Sequence, residues 1–529
     1  MIGISKLYCG TVEPSDALRY GRHSGKLPSH LLQFSKDKRP VVVWNTTQRC
    51  NLKCAHCYAH AKALANDNEL STREGKALID DLAEYGAPVI LFSGGEPLVR
   101  NDLPDLAGYA VDKGMRAVIS TNGTLISVKL AQTLKRIGLS YVGISLDGMQ
   151  AINDRFRGVS GAFESAMKGI KNCQDAGMKV GLRFTINKYN VNEIPHIFNL
   201  IEEMDIPRVC FYHLVYAGRG TELVNEDLTL EGTRSAVDLI INETKRLHDI
   251  GKPKEVLTVD NHADGPYLYL RLSKEDPQRA KDVLELLQWN EGNSSGRGIG
   301  CVSWDGEVHP DQFWRHCSLG NVRQRPFSEI WADLSNPLLE KLKEKKKHVK
   351  GRCADCRWLN ICGGNFRVRA EATTGDLWAP DPACYLTDEE ISSVPASRCR
   401  GDRQFLTGSR HRCWLSAAVG VHEGWYAARD DPLHRDHGQP ELLRHGHHPQ
   451  RLSVALGFRH TVIPAHAFLG VASLLVADDH DLVLFLHPDI VAVRLGAKGH
   501  PASGFRTNVT PDGQQESAKG KAGVIVHKT

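Results

Sequence analysis

The chain has 529 residues, enough for roughly two to four domains. Apolar residues make up 41% and charged residues 24%, which excludes collagen-like, disordered and disulfide-miniprotein classes. The net charge of +4 is unevenly placed: residues 1–395 hold 50 Lys+Arg and 50 Asp+Glu, whereas residues 396–529 hold 16 Lys+Arg, 12 Asp+Glu and 13 of the 24 His. The balanced body lacks the clustered basic excess of a nucleic-acid binder. No apolar run reaches the roughly 18 residues of a spanning helix, so no membrane partner is expected. The start, MIGISKLYCG, has no basic region followed by an apolar core, so no secretory leader is expected. A cytoplasmic location follows, and the 14 Cys then point to metal or redox use rather than disulfides.

Residues 1–39 form an N-terminal segment with no clear peptide-binding element. From Pro40 to Gly220 one unit repeats: a short β-branched run, a turn, then an amphipathic helix. Strands are predicted at Val41–Asn45, Val89–Ser93, Ala117–Thr121, Tyr141–Leu146, Val180–Thr185 and Val209–Val215. Helices are predicted at Thr72–Tyr85, Leu103–Lys113, Val128–Ile137, Phe163–Ala176 and Glu193–Met204, the first opened by a capping box from Ser71 to Glu74. Six βα units indicate a parallel sheet, open or curled into a partial barrel, with its chemistry at the C-terminal strand ends. Residues 221–290 read as a helical connection. Residues 291–391 read as hairpins, a helix near Phe327–Lys347 and a Cys-rich loop region. Within these, Lys341–Lys350 reads as a solvated helix end. Residues 392–529 form a tail of different composition.

Cys50, Cys54 and Cys57 form C-x3-C-x2-C in one loop after the first strand. Three thiolates this close can hold three irons of a four-iron cluster, leaving the fourth iron open to another ligand. A closed zinc site needs a fourth ligand, and His56 is strained for that role by its neighbour Cys57. Three further strands end in chemically distinctive turns: Gly94-Gly95-Glu96-Pro97, Ser120-Thr121-Asn122-Gly123 and Ser145-Leu146-Asp147-Gly148. Arg183 lies in the next strand. Downstream, Cys353, Cys356, Cys362 and Cys384 supply four thiolates, a set that suits either zinc or a second four-iron cluster.

The first cluster, followed in order by these strand ends, resembles the radical SAM superfamily, which acts through S-adenosylmethionine (SAM). Cys353-x2-Cys356-x5-Cys362 resembles the SPASM extension of such enzymes. The resemblance implies a partial (β/α)6 barrel with a C-terminal iron–sulfur extension and an unrelated tail. It assigns a SAM-binding [4Fe–4S] cluster to Cys50, Cys54 and Cys57. SAM contacts fall to Gly94, Gly95, Glu96, Pro97, Ser120, Thr121, Asn122, Ser145, Asp147 and Arg183. An auxiliary [4Fe–4S] cluster falls to Cys353, Cys356, Cys362 and Cys384. Members with two auxiliary clusters carry Cys where this chain has Asp311 and Phe366, so one auxiliary cluster is expected.

Stretches such as Val209–Gly220, Val259–Tyr267 and Trp304–Trp314, with the opening Met1–Cys9, are similar to the radical SAM enzymes of alternative haem and haem d1 synthesis. This similarity spans about residues 1–391. It implies that reduced cluster and SAM yield a 5′-deoxyadenosyl radical that takes hydrogen from an iron tetrapyrrole. Two acetate side chains are then lost from 12,18-didecarboxysiroheme and iron-coproporphyrin III forms. A low-potential donor such as flavodoxin or ferredoxin would supply electrons. A polycarboxylate macrocycle needs cations and flat apolar walls. Tyr212, His213, Tyr216, Arg219 and His262 are therefore candidate substrate contacts, with His213 or His262 a candidate axial iron ligand. Trp304, Phe313, Trp314, Arg315 and Trp378 are candidate cavity walls or the core of the Cys-rich region. Rival readings are a sister tetrapyrrole step (haem b or haem d1 synthesis), a SPASM peptide maturase and a non-catalytic metal-binding protein. The last leaves Gly94–Pro97 and the open three-Cys site unexplained. The tail shows no such resemblance and reads as a frameshifted or misjoined segment rather than as a metal-binding or partner module.

Overall fold

The structure, a computed structural model, describes residues 1–11, 39–64 and 68–392, and the backbone of five strands between Ser453 and Gly496. It divides into two units, Met1–Thr407 and Gly408–Thr529. In the first, one 11-stranded sheet runs in the order β1-β8-β7-β6-β5-β4-β3-β2-β9-β10-β11. Strands β2 (Val41–Asn45), β3 (Val89–Ser93), β4 (Arg116–Thr121), β5 (Tyr141–Ser145), β6 (Val180–Ile186) and β7 (Arg208–His213) are the six expected strands, all parallel.

Two further strands extend the parallel sheet beyond six. β8 (Glu255–Val259) lies within the stretch expected to be helical and pairs with β7. β9 (Ile299–Val302) pairs in parallel with β2 and turns back through the antiparallel β10 (Glu307–His309), which pairs with β11 (Gly320–Asn321). β1 (Ile2–Gly3) caps the far edge, antiparallel to β8. Each outer edge thus carries a short antiparallel strand, which shields an otherwise sticky edge.

Helices cover the outside of the sheet with amphipathic faces. Thr72–Tyr85 buries Leu78, Ile79 and Leu82, and its Ser71–Glu74 capping box is formed at both bonds. Ala162–Asp175 buries Ala166, Ile170 and Cys173, the last as a small apolar side chain. A helix that the periodicity did not reveal, Gln150–Arg157, follows β5 and stops at Gly158 in the left-handed region (φ 69°).

The single helix expected over Phe327–Lys347 is instead broken. Phe327–Ala332 ends, Asn336 caps a new start, and Pro337 opens Pro337–Lys343. Proline cannot continue the first helix, but suits the first turn of the second. The solvated helix end expected at Lys341–Lys350 also needs correction at one position. Lys345 is buried, its ammonium donating to the backbone and side-chain carbonyls of Asn293.

The second unit, taken by itself, contains two antiparallel sheets. One pairs Ser453–Phe458 with Thr461–His466; the other joins Ser473–Ala477, Asp481–Leu486 and Val491–Gly496. The start of the tail lies outside the described residues apart from Ser392.

Candidate active site

Parallel strands bring their C-terminal ends to one rim, and the loop after β2 carries Cys50, Cys54 and Cys57 there. The loop is clamped from outside. Lys53 and Ala55 donate backbone N–H to the carbonyls of Arg157 and Phe156, each at 3.0 Å. Arg219 donates from Nε to the Cys54 carbonyl (2.9 Å) and from Nη1 to that of Ala61 (3.0 Å). Every thiol has a donor aimed at it: Leu52 N–H at Cys50 Sγ (3.4 Å), Ala61 N–H at Cys57 Sγ (3.4 Å) and Arg157 Nη1 at Cys54 Sγ (3.6 Å).

Burial pushes the Cys50 thiol up to about 12 and the Cys54 thiol upward too. Deprotonated sulfur here calls for a strong positive partner, which bound iron supplies. His56 does not close the set. Its ring stacks on Phe156 (centroids 4.6 Å apart) and its Nε2 lies 3.7 Å from Asp147 Oδ2. Three thiols with N–H donors and, among the described residues, no fourth ligand fit an open-sited cluster.

Gly94–Pro97 zips the end of β3 onto the start of this loop. Gly95 and Glu96 N–H donate to the Thr47 and Arg49 carbonyls, both at 2.8 Å. The approach needs glycine. A Cβ on Gly95 would fall 2.3 Å from the Arg49 oxygen, and one on Gly94, at φ 130°, 2.5 Å from that of Thr47. Glu96 is fully buried and accepts from Thr121 Oγ1 (2.7 Å), Asn122 N–H (2.7 Å) and Leu98 N–H (3.0 Å). Its carboxylate therefore ties β3 to β4 rather than standing free. Asn122 Nδ2 donates to Asn51 Oδ1 at 2.8 Å, which joins the β4 end to the cysteine loop. Half-buried Ser120 and Ser145 lie near the ends of β4 and β5 on the same rim, and Ser145 is in register with Arg183 on β6.

Asp147 sits inside. Its carboxylate takes Arg157 Nη2 (2.5 Å) and Thr185 N–H (2.8 Å). Arg157, which the sequence reading did not single out, thus links Asp147 to the sulfur of Cys54. It lies on the unforeseen helix, far along the chain from that cysteine, so no local spacing marked it.

Cys353, Cys356, Cys362 and Cys384 converge in the Cys-rich region, close enough that the first, second and fourth all raise the thiol pKa of Cys362. Burial is the larger cause: it holds Cys362 well above the usual range and Cys384 at about 11. Trp358 N–H points at Cys356 Sγ (3.4 Å), and Leu386 N–H bonds to the Cys384 sulfur. Four clustered, N–H-decorated thiols fit a closed cluster site. Cys301 stands apart, buried, with Asn45 Nδ2 donating to its sulfur at 3.4 Å.

An ion pair fastens this region to the strand ends. Arg369 and Asp381, both fully buried, pair at 2.8 Å. Arg369 also donates to the carbonyls of Leu214 and Asp260, each at 2.8 Å.

Inside the sheet's curve lies a cavity of about 1900 Å³, counting its open mouth. Arg116, Arg183 and Arg208 point into it from the strands, with Phe313 and Phe366 as apolar wall. Arg183 is half-buried and stacks over Tyr212 at 4.5 Å. Among the described residues it forms no ion pair. A guanidinium in a cavity wall without a carboxylate partner suits an anionic ligand.

Of the candidate substrate residues, Tyr212 and His262 line this cavity. The others do not. His213, next to Tyr212 on β7, faces the opposite side and bonds Asp264 through Nε2 at 2.9 Å. Tyr216 donates to Asp227 (2.8 Å), and Arg219 holds the cysteine loop. Of the five aromatic and arginine wall candidates, only Phe313 lines the cavity. Trp314 packs in a core with Leu342, and Arg315 stacks on Trp304 at 3.7 Å.

The Radical SAM superfamily pattern matches residues 44–201, and the SPASM iron-sulfur cluster-binding domain matches residues 295–357. Fe-coproporphyrin III synthase of Methanosarcina barkeri is 70% identical over 399 residues, covering 75% of this chain and 100% of that protein. Pre-heme d1 synthase of Dinoroseobacter shibae is 41% identical over 377 residues, 70% of this chain and 92% of that one. Among solved structures, Streptococcus suis SuiB bound to S-adenosylmethionine aligns with a TM-score of 0.54 at 17% identity, over 68% of this chain and 81% of that one. This last likeness shows the fold alone. The two matched families bring their cofactors with them: a [4Fe–4S] cluster that works with SAM, and an auxiliary iron–sulfur cluster. The chain belongs to the radical SAM superfamily, as a SPASM-bearing enzyme of the group that contains Fe-coproporphyrin III synthase and pre-heme d1 synthase.

Proposed function

We propose that this enzyme makes iron-coproporphyrin III by removing the acetate side chains of 12,18-didecarboxysiroheme. The observation that carries the reading is 70% identity to Fe-coproporphyrin III synthase over that protein's whole length. In this reading Cys50, Cys54 and Cys57 hold the SAM-binding cluster, and Cys353, Cys356, Cys362 and Cys384 the auxiliary one. A reduced cluster held by these three thiolates would supply the electron for reductive cleavage of SAM, and so the 5′-deoxyadenosyl radical for hydrogen abstraction. Gly94–Pro97, Ser120–Asn122 and Ser145 frame the SAM site beside it.

The protein's own residues then bind and orient. Arg157 and Arg219 fix the cysteine loop, one through sulfur and one through the carbonyls. Arg183, which the resemblance assigns to SAM, lines the same cavity and offers a cation to a bound carboxylate, and Phe313 with Phe366 a flat wall. Electrons come from a separate low-potential protein of the flavodoxin or ferredoxin kind, and the enzyme works in the cytoplasm. The stretches 221–290 and 291–391 each add a strand to the barrel sheet, and residues 392–529 lie outside the catalytic body.

A sister tetrapyrrole step is the second reading, favoured by the 41% identity to pre-heme d1 synthase. Variants separate the roles of the two cysteine sets. Cys54→Ala should abolish 5′-deoxyadenosine formation from SAM, and Cys356→Ala should lose auxiliary iron yet keep the signal of the first cluster. Loss of the first-cluster signal in Cys356→Ala would reverse that assignment.

A further inference from the structure

We propose that His262 ligates the central iron of the tetrapyrrole and so selects iron-bearing macrocycles; this rests on the Fe-coproporphyrin III synthase reading. Two histidines near the strand ends differ sharply in how they are held. His213 is committed to Asp264, whose other oxygen accepts from Tyr385 at 2.7 Å. His262 lines the cavity, is only 6% exposed, and its buried Nδ1 has no hydrogen-bond partner among the described residues. An unpaired buried imidazole nitrogen is expensive, and such groups in native proteins usually serve a ligand. Burial holds this ring well below its usual pKa, so it is neutral, the form that binds metal.

The backbone beneath it is built for position. Asp260 and Asn365 both adopt left-handed φ, 67° and 59°, a strained conformation that surrounding bonds must maintain. Asn365 Oδ1 accepts the His262 N–H at 2.7 Å, and its Nδ2 donates to Asn261 Oδ1 at 2.8 Å. Asn261 in turn donates to the Ala383 carbonyl at 2.9 Å, beside Cys384. The Cys-rich region therefore sets the ring's place in the cavity. Phe313 and Phe366, in edge contact at 5.4 Å, supply apolar surface to the same space, and Arg183 supplies charge.

The test is anaerobic titration of the reconstituted holoenzyme with iron-coproporphyrin III and with metal-free coproporphyrin III, read by Soret absorption and electron paramagnetic resonance. The wild-type enzyme should give an imidazole-ligated iron spectrum. His262→Ala should lose that spectrum and bind the iron form about tenfold more weakly, with metal-free affinity unchanged. Free imidazole should restore the spectrum. His262→Gln, close in size but a poor iron ligand, repeats the test should the alanine variant lose its clusters. An iron spectrum independent of residue 262 overturns the proposal, even where didecarboxysiroheme is still turned over. Absence of any porphyrin product from the wild-type enzyme instead overturns the reading on which it rests.

Discussion

Arg157 shows how much of the site's chemistry lies one layer behind the cysteines. Its guanidinium, buried in the protein, reaches Cys54 Sγ at 3.6 Å and Asp147 at 2.5 Å. Removing a cation beside a cluster favours the oxidised state, so Arg157→Met should move the first cluster's midpoint potential to more negative values and slow SAM cleavage. The stranded Asp147 should cost on the order of 3–5 kcal/mol of stability. Arg157→Lys should recover most of the potential shift. Redox titration followed by paramagnetic resonance checks this, and an unchanged midpoint in Arg157→Met would contradict it. The cysteines and Gly94–Gly95 were legible in the sequence because their constraint is local: spacing within one loop and one close backbone approach. Arg157 was not, since its partner is 103 positions away. His213 and His262 were equally visible, but only the alternation of β7 and the free Nδ1 of His262 tell them apart.

Among the elements, the six strands β2–β7 could be read because each is a β-branched run followed by an amphipathic helix. β8 and β9 break that rhythm. β8 is five residues, Glu255–Val259, between long helices, and β9 returns to pair with β2 after the chain has crossed the whole sheet. Such pairing depends on tertiary packing: Gly300 on β9 lies so close to Trp331 that a Cβ there would fall 2.7 Å from the ring. The same long-range logic fastens the Cys-rich region. Arg369 bridges Asp381 to the ends of β7 and β8, and the whole pair is fully buried. Arg369→Met should cost about 3–5 kcal/mol by stranding Asp381, and it should lower auxiliary iron before it lowers first-cluster iron. Thermal unfolding and iron counts per protein test this. Equal loss of both iron pools would show that the link is not specific to the Cys-rich region.

At the scale of the molecule, the net charge of +4 falls in residues 396–529. The Methanosarcina relative aligns over its full length with three quarters of this chain, so the catalytic body is accounted for without a C-terminal extension. The tail carries the whole net +4 and forms its own strand pairs. Truncation after Val394 should leave iron content and turnover unchanged, and a fall in either would give the tail a role. The body itself is charge-balanced, so in the proposed reading recognition would rest on placed side chains such as Arg183 rather than on a bulk field. The central claim is the reaction, and one anaerobic assay bears on it most directly: reconstituted enzyme with reductant, SAM and 12,18-didecarboxysiroheme, analysed for 5′-deoxyadenosine and porphyrin by mass spectrometry. The account predicts 5′-deoxyadenosine together with iron-coproporphyrin III, the product lacking both acetate groups; 5′-deoxyadenosine with the tetrapyrrole returned unchanged would contradict it.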